Sequence, residues 1–319
     1  ICSIPLLAVA DGDPLEGHSG HGEAFNEGPR QAAYIMQGMP DINFPVTTGD
    51  PLAQIFFNQG VGQLHGFWYF EAERSFRQVL QIDTNCVMAY WGMAMANAEN
   101  PERAAKLIAE TKDRQEHLTG REKLWIKSLA NYYRDLKADE KRRRRTLVRD
   151  IEAIIHEDPD DLEAKSFLAV QIWKNARKGH PIASHEEVNA LVEQDLTARP
   201  NHPTHHYRIH LWDSEKSRMA LASAAACGNA GPGIAHLWHM PGHIYSKLNR
   251  YPDAAWQQEA SARVDHAHMI RDRVLPDRIH HYAHNNGWLS ENLGFAGRAR
   301  DAVDLAANMV ELPRRPKFR

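Results

Sequence analysis

Histidine recurs in this chain at a fixed interval. In frames of 34 residues that open at Asn201 and Ala235 and resume at Ala283, the second position is histidine each time: His202, His236 and His284. The fifth position is histidine in the first two frames, His205 and His239, and the ninth position of the second frame is His243. Twelve of the nineteen histidines lie between His202 and His284, and neutral imidazole is the commonest protein ligand for transition metals. On a helix, His236, His239 and His243 fall within about 60° of one another, because successive residues are turned by about 100°. Three ring nitrogens can then address one point. Three imidazoles with an open position, or two with a carboxylate, suit copper, zinc or iron. These six histidines are the metal-ligand candidates.

Further ligands and orienting groups stand nearby. His206, His210, His280 and His281 add imidazoles, and Asp213, Asp265 and Glu291 can fix ring tautomers from behind. Two features complicate the geometry. His205-His206 and His280-His281 are adjacent pairs, and neighbours on a helix point about 100° apart, so one of each pair faces the site. Pro241 lies inside the same helix as His236, lacks an N–H and predicts a kink between His239 and His243. The same residues also permit a metal-free groove that binds an acidic peptide, or a lining that responds to pH. No G-x-S-x-G, H-E-x-x-H, Walker loop or G-x-G-x-x-G occurs in the chain. A reaction at the site would therefore be metal-assisted oxidation or hydrolysis.

The frames have a recognisable pattern. Trp238, Gly242, Tyr245 and Ala254 match W-x2-L-G-x2-Y followed by A-x3-F, with Pro241 in place of the leucine and Gln258 in place of the phenylalanine. Ala220 and Pro232 fit the preceding frame; Phe56, Gly60, Ala72 and Phe76 fit near the start, with Tyr90 one period after Phe56. The chain thus resembles the tetratricopeptide repeat family over roughly residues 53–110 and 201–310, and in particular an exported bacterial group. The resemblance implies an all-α solenoid of stacked antiparallel hairpins. It also implies that the second, fifth and ninth residues of each first helix line a concave groove, which places His202, His205, His236, His239, His243, His284 and Glu291 there. Trp238, Gly242 and Tyr245 would take packing positions, leaving the histidines out of the core. A metal-free scaffold for a protein or peptide partner is the rival reading.

The 319 residues accommodate six or seven helical hairpins in one continuous body. Residues 11–50 carry too many Gly and Pro for a long helix and read as an irregular arm. From Asp50-Pro51 onward the solenoid begins, with repeat-like hairpins over 51–120, degenerate ones over 121–200 and the histidine-rich half over 201–319. Residues 269–282 are an insertion between frames, and insertions of this kind map to one side of a solenoid, often the binding side. His65, His117, His156, His180 and His185 share no frame, and His18-x2-His21 with Glu23 reads as a chance cluster in a glycine-rich arm.

Composition bounds the class. A formal charge of −3 gives no general attraction to nucleic acid. No stretch approaches the roughly 18–20 apolar residues of a spanning helix. Ile4-Pro5-Leu6-Leu7-Ala8-Val9-Ala10 has the pattern of a signal-peptide core, so residues 1–10 read as a leader remnant and the protein as exported to the periplasm or the exterior. Cys86 and Cys227 lie in separate repeats without a C-x-x-C pair and read as packing residues. No polar capping helix follows Leu312-Pro313, so further sequence is expected beyond Arg319.

Overall fold

A computed structural model describes residue 29, residues 31–279 and residues 281–313. Among the described residues the chain forms fourteen α-helices, two short 3-10 turns and no strand. The first eight helices are α1 (Pro51–His65), α2 (Tyr69–Ile82), α3 (Met88–Ala96), α4 (Pro101–Ala109), α5 (Gly120–Tyr133), α6 (Glu140–Glu157), α7 (Leu162–Ala176) and α8 (His185–Ala198). There follow α9 (His205–Trp212), α10 (Leu221–Ala230), α11 (Ala235–Lys247), α12 (Tyr251–Asp272), α13 (Tyr282–Phe295) and α14 (Ala299–Glu311). The leader remnant, His18, His21, Glu23, His280 and the segment beyond Pro313 lie outside the described residues.

The helix boundaries follow local chemistry. Asp50 caps α1 by accepting from the Leu52 N–H, with Pro51 at the first turn where its missing donor costs nothing. Asn100 and Pro101 repeat the device at α4. At α5 the Thr119 hydroxyl and the Glu122 carboxylate form a reciprocal capping box. Asp161 and Ser184 cap α7 and α8.

Consecutive helices pair into seven hairpins, and first helices also touch first helices, α1 on α3, α3 on α5, α7 on α9 and α9 on α11. This is the tetratricopeptide-like solenoid that the repeat pattern implies. Its packing rule is a small residue under a ring. A Cβ placed on Gly60 would lie 2.7 Å from the Phe76 ring, and the same ring covers Gly92 from the next hairpin. Phe44, Phe57, Trp91 and Trp125 join in one buried aromatic cluster.

The stack is curled, and the curl brings its first hairpin onto the histidine-rich half. Gly66, at the end of α1, abuts Ile234 just before α11; a Cβ on Gly66 would sit 2.6 Å from that side chain. Residues 31–50, which contain no helix, run between the two halves. Phe44 is buried among the N-terminal helices, the Gly38 carbonyl accepts from Gly233 N–H at 2.7 Å, and the Tyr34 hydroxyl reaches Asp272 at 3.1 Å. Gly38 has φ of +73°, and a Cβ would meet the Gly233 backbone nitrogen at 2.7 Å, so glycine is required there on two counts.

Helix α11 runs through Pro241 as one element, with the proline inside it as expected. One local expectation changes. Part of the expected insertion is helical, since α12 extends to Asp272; the remainder passes through a 3-10 turn at Pro276–Arg278 before α13.

Candidate metal centre

Three groups of potential ligands form where α1, α7, α9, α11 and α13 meet. The first is His206, His210 and His236, whose ligating nitrogens lie within 4.8 Å of one another. His206 and His210 stand one turn apart on α9, with their Nε2 atoms 2.9 Å apart. His206 Nδ1 is 2.6 Å from the His65 carbonyl oxygen, which can only accept, so the proton is on Nδ1 and the Nε2 lone pair faces His210. His236 packs edge-on to His206, with ring centroids 4.8 Å apart, and neither of its buried ring nitrogens has a hydrogen-bond partner among the described residues.

The second group is His239, His243 and His284, again within 4.8 Å. His239 Nε2 and His243 Nε2 are 2.8 Å apart. Behind His239, Nδ1 meets Gln258 Oε1 at 2.6 Å and Asn285 Oδ1 at 3.0 Å. Both amides are oriented by their own donors: Gln258 Nε2 donates to the His239 carbonyl and Asn285 Nδ2 donates to the Gln258 carbonyl. Two carbonyl-type oxygens therefore hold the proton on Nδ1 and aim the Nε2 lone pair at the triad. A Cβ on Gly242 would collide with the Gln258 amide, which makes that glycine the space through which Gln258 reaches His239.

Two nitrogens bound to one ion at about 2.0–2.1 Å stand roughly 2.9 Å apart at a right angle and roughly 3.4 Å apart at the tetrahedral angle. Each triad thus has one pair of nitrogens already at bonding separation and a third ring within reach. The alternative for each pair is a single N–H···N hydrogen bond, and it leaves the ring nitrogens of His236 without a hydrogen-bond partner among the described residues.

The third group, His65, Glu163 and His202, is closed. His65 Nε2 lies 2.7 Å from Glu163 Oε2, His202 Nε2 lies 3.1 Å from Oε1, His65 Nδ1 meets the Tyr207 hydroxyl at 2.8 Å, and His202 Nδ1 accepts from the Thr204 N–H at 3.3 Å. Every ring nitrogen is satisfied within the protein. This network braces the site, since the carbonyl of His65 fixes the His206 tautomer.

Burial keeps the triad histidines of α9 and α11 neutral. It pushes His206 down to about 3 and His243 down to about 3, with neighbouring imidazoles adding to both shifts. It takes His239 down to about 4 against the opposing pull of Asn285 and Gln258, and lowers His210 and His236 far below the usual histidine value. In the closed network burial raises the Glu163 carboxyl, but His65 and His202 outweigh it and hold the group well below the ordinary carboxylate range.

The sequence candidates are brought together differently from their repeat phase. They form a row rather than a single centre: His236 turns to α9, His239 and His243 turn to α13, and the His236 and His239 rings stack at 5.7 Å. His202 belongs to the closed network. His205 joins no triad; its Nε2 is 2.8 Å from the Pro200 carbonyl and its Nδ1 3.0 Å from Ser223 Oγ, so its neighbour His206 is the one facing the site. His210 is a member of a triad rather than an outlying group. His281 stacks on His236 at 4.7 Å. Asp213 approaches His243 Nδ1 only to 4.0 Å and pairs with Lys247 at 2.9 Å. Asp265 is buried, which raises it to about 7, and joins neither triad; Glu291 is exposed and joins neither. The expectation that these histidines stay out of the core also changes, because His202, His205, His206, His236 and His239 are buried.

Four contributors escaped sequence reasoning. His65 and Glu163 reach the site only through the curl of the stack. Gln258 stands out in the sequence as a departure from the repeat pattern, and that departure is the signal that finds it. Phe67, at φ of +55°, places its ring 4.5 Å from His206 and 5.5 Å from His236.

A cavity of about 1150 Å³ opens beside the first triad, with His236 and His281 in its wall. Arg273, Val274, Leu275 and Ile279 from the inserted segment line it as well.

The class defined by this architecture is an all-α stack of tetratricopeptide-like hairpins with imidazole triads between its first helices. No protein-family profile matches the sequence, and no curated protein matches it. Among solved structures, the chain is similar to a tetratricopeptide repeat protein from Parabacteroides merdae, at 16% identity over 68% of this chain and 80% of that one, with a TM-score of 0.40.

Proposed function

We propose that the protein binds transition-metal ions at His206/His210/His236 and at His239/His243/His284. The observation that carries this reading is the pair of imidazole triads, each with two Nε2 atoms within 2.9 Å of one another, while the buried ring nitrogens of His236 have no hydrogen bond among the described residues. A buried polar nitrogen without a partner is costly, by about 1–3 kcal/mol, and an ion would supply the missing interaction. Three neutral imidazoles suit copper, zinc or iron and leave an open coordination position. Such a position supports hydrolysis through a bound water or redox chemistry, according to the ion. The apolar Ile4–Ala10 pattern adds an exported location to the reading.

A scaffold that displays imidazoles to an acidic peptide is less well supported, because the rings that would make the contact are mostly buried against one another. Elemental analysis of protein purified without a histidine tag is the direct test. Near-stoichiometric copper, zinc or iron supports the proposal; protein that neither retains nor takes up these ions at neutral pH contradicts it.

A further inference from the structure

The cavity beside the first triad has one wall rich in positive charge. Lys174 lies in the last turn of α7, Arg177 and Lys178 follow in the turn after it, and all three line the cavity. Lys174 is half-buried. Its ammonium lies 3.1 Å from the Tyr69 hydroxyl and over the rings of Phe67 and Tyr69, at 5.1 and 5.4 Å, with no carboxylate pairing among the described residues. Of the acids that line the cavity, Glu71 pairs with Arg74 at 3.1 Å, Asp272 lies 2.6 Å from His268 Nδ1 and 3.1 Å from Arg271, Glu99 is exposed, and Asp265 is buried, which raises its carboxyl to about 7 and weakens its negative charge near neutral pH. A half-buried ammonium retains donors for an anion, and desolvation strengthens that attraction.

The same wall is aromatic and leads to the imidazoles. Trp173 stacks on His210 with centroids 4.1 Å apart, and Phe67 lies between Lys174 and the His206 and His236 rings. Flat apolar surface, a cation and an imidazole triad therefore follow one another across a few ångströms.

We propose that the cavity takes a small organic anion with a flat apolar body, its anionic group held by Lys174 with Arg177 and Lys178 and its body laid along Trp173 and Tyr69 toward His236. Placing the ligand against a bound ion rests on the metal-binding reading; recognition by the cationic wall does not. The cavity is ample for such a molecule, since pockets for organic ligands commonly run to several hundred Å³.

The test uses calorimetric titration of the zinc-loaded protein with 1-naphthoate and with neutral 1-naphthamide, in wild type, Lys174→Met and Lys174→Arg. The wild type is expected to bind naphthoate about 10–100-fold tighter than naphthamide, the range of a hydrogen bond to a charged group. Lys174→Met should remove that preference, Lys174→Arg should keep most of it, and zinc content and melting temperature should match wild type in both. Equal affinity for the two probes in wild type, or a preference that survives Lys174→Met, overturns the proposal. Repeating the titration on metal-free protein separates the two readings. A Lys174-dependent preference there supports the cationic wall even if zinc is never retained, whereas naphthoate affinity unaltered by zinc overturns the placement of the ligand against the ion.

Discussion

Gln258 lies sixteen residues after Gly242, as Phe76 lies sixteen residues after Gly60, yet the two pairs serve different ends. Phe76 fills the space left by Gly60 with a ring, whereas Gln258 uses the space left by Gly242 to set Oε1 2.6 Å from His239 Nδ1. A packing position of the repeat has become an orienting group for an imidazole.

Gln258→Phe restores the residue of the repeat pattern and should fold, since the Gly60–Phe76 pair shows that a ring fits over glycine in this setting. Loss of an orienting acceptor behind a ligating histidine typically weakens metal affinity about 10–100-fold, and because Asn285 Oδ1 stays 3.0 Å from His239 Nδ1 the low end of that range is expected. Titration with zinc should show one of two sites weakened by that order and the other intact. Equal affinity at both sites in the variant would show that the amide has no orienting role.

The metal-free protein should be sensitive to acid. The folded-state values of about 3 for His206 and His243 and about 4 for His239 lie below the unfolded value near 6.5, so the unfolded chain binds more protons below that pH. Stability is full above about 6.5 and falls as pH drops toward 4; at pH 5 each such imidazole removes up to about 2 kcal/mol. In chelator, the melting temperature should drop steeply between about pH 6.5 and 5. The sequence alone, with an unperturbed histidine, places the loss of metal binding near 6.5; burial moves it, so zinc should still raise the melting temperature at about pH 5. A metal-free melt that is flat across this range would contradict the burial argument.

The repeat and the row of histidines are legible in the sequence because both are periodic. The 34-residue spacing makes His202, His236 and His284 conspicuous, and helix caps such as Asp50-Pro51 mark where elements begin. Which histidines share a centre is not legible, because that depends on the rotation of neighbouring helices. His205 and His206 differ by one position, and only the packed structure turns His206 toward His210 and His205 toward Ser223. His65 and Glu163 lie outside the histidine frames and meet His202 through the curl of the stack, a contact without any local signal.

The closed network should matter to stability rather than to ligand count. Glu163→Ala leaves His65 and His202 buried without their shared acceptor, a change that costs about 3–5 kcal/mol in comparable buried pairs. Denaturant unfolding should show a loss of that order, while the protein that remains folded still binds two ions. Unchanged stability would contradict the bracing role assigned to Glu163.

His205→Ala is the control that separates a buried histidine from a ligand. It removes hydrogen bonds to Pro200 and Ser223 and should cost about 1–3 kcal/mol in a denaturant melt, without reducing the number of ions bound. Loss of an ion in this variant would return His205 to the ligand set.

The most direct test of the two-triad account is native mass spectrometry of tag-free protein with stoichiometric zinc or copper, comparing wild type with His210→Ala, His243→Ala and the double variant. The account predicts two ions in wild type, one in each single variant and none in the double variant. Wild-type protein without bound ions, or ion counts unchanged by the substitutions, would contradict it.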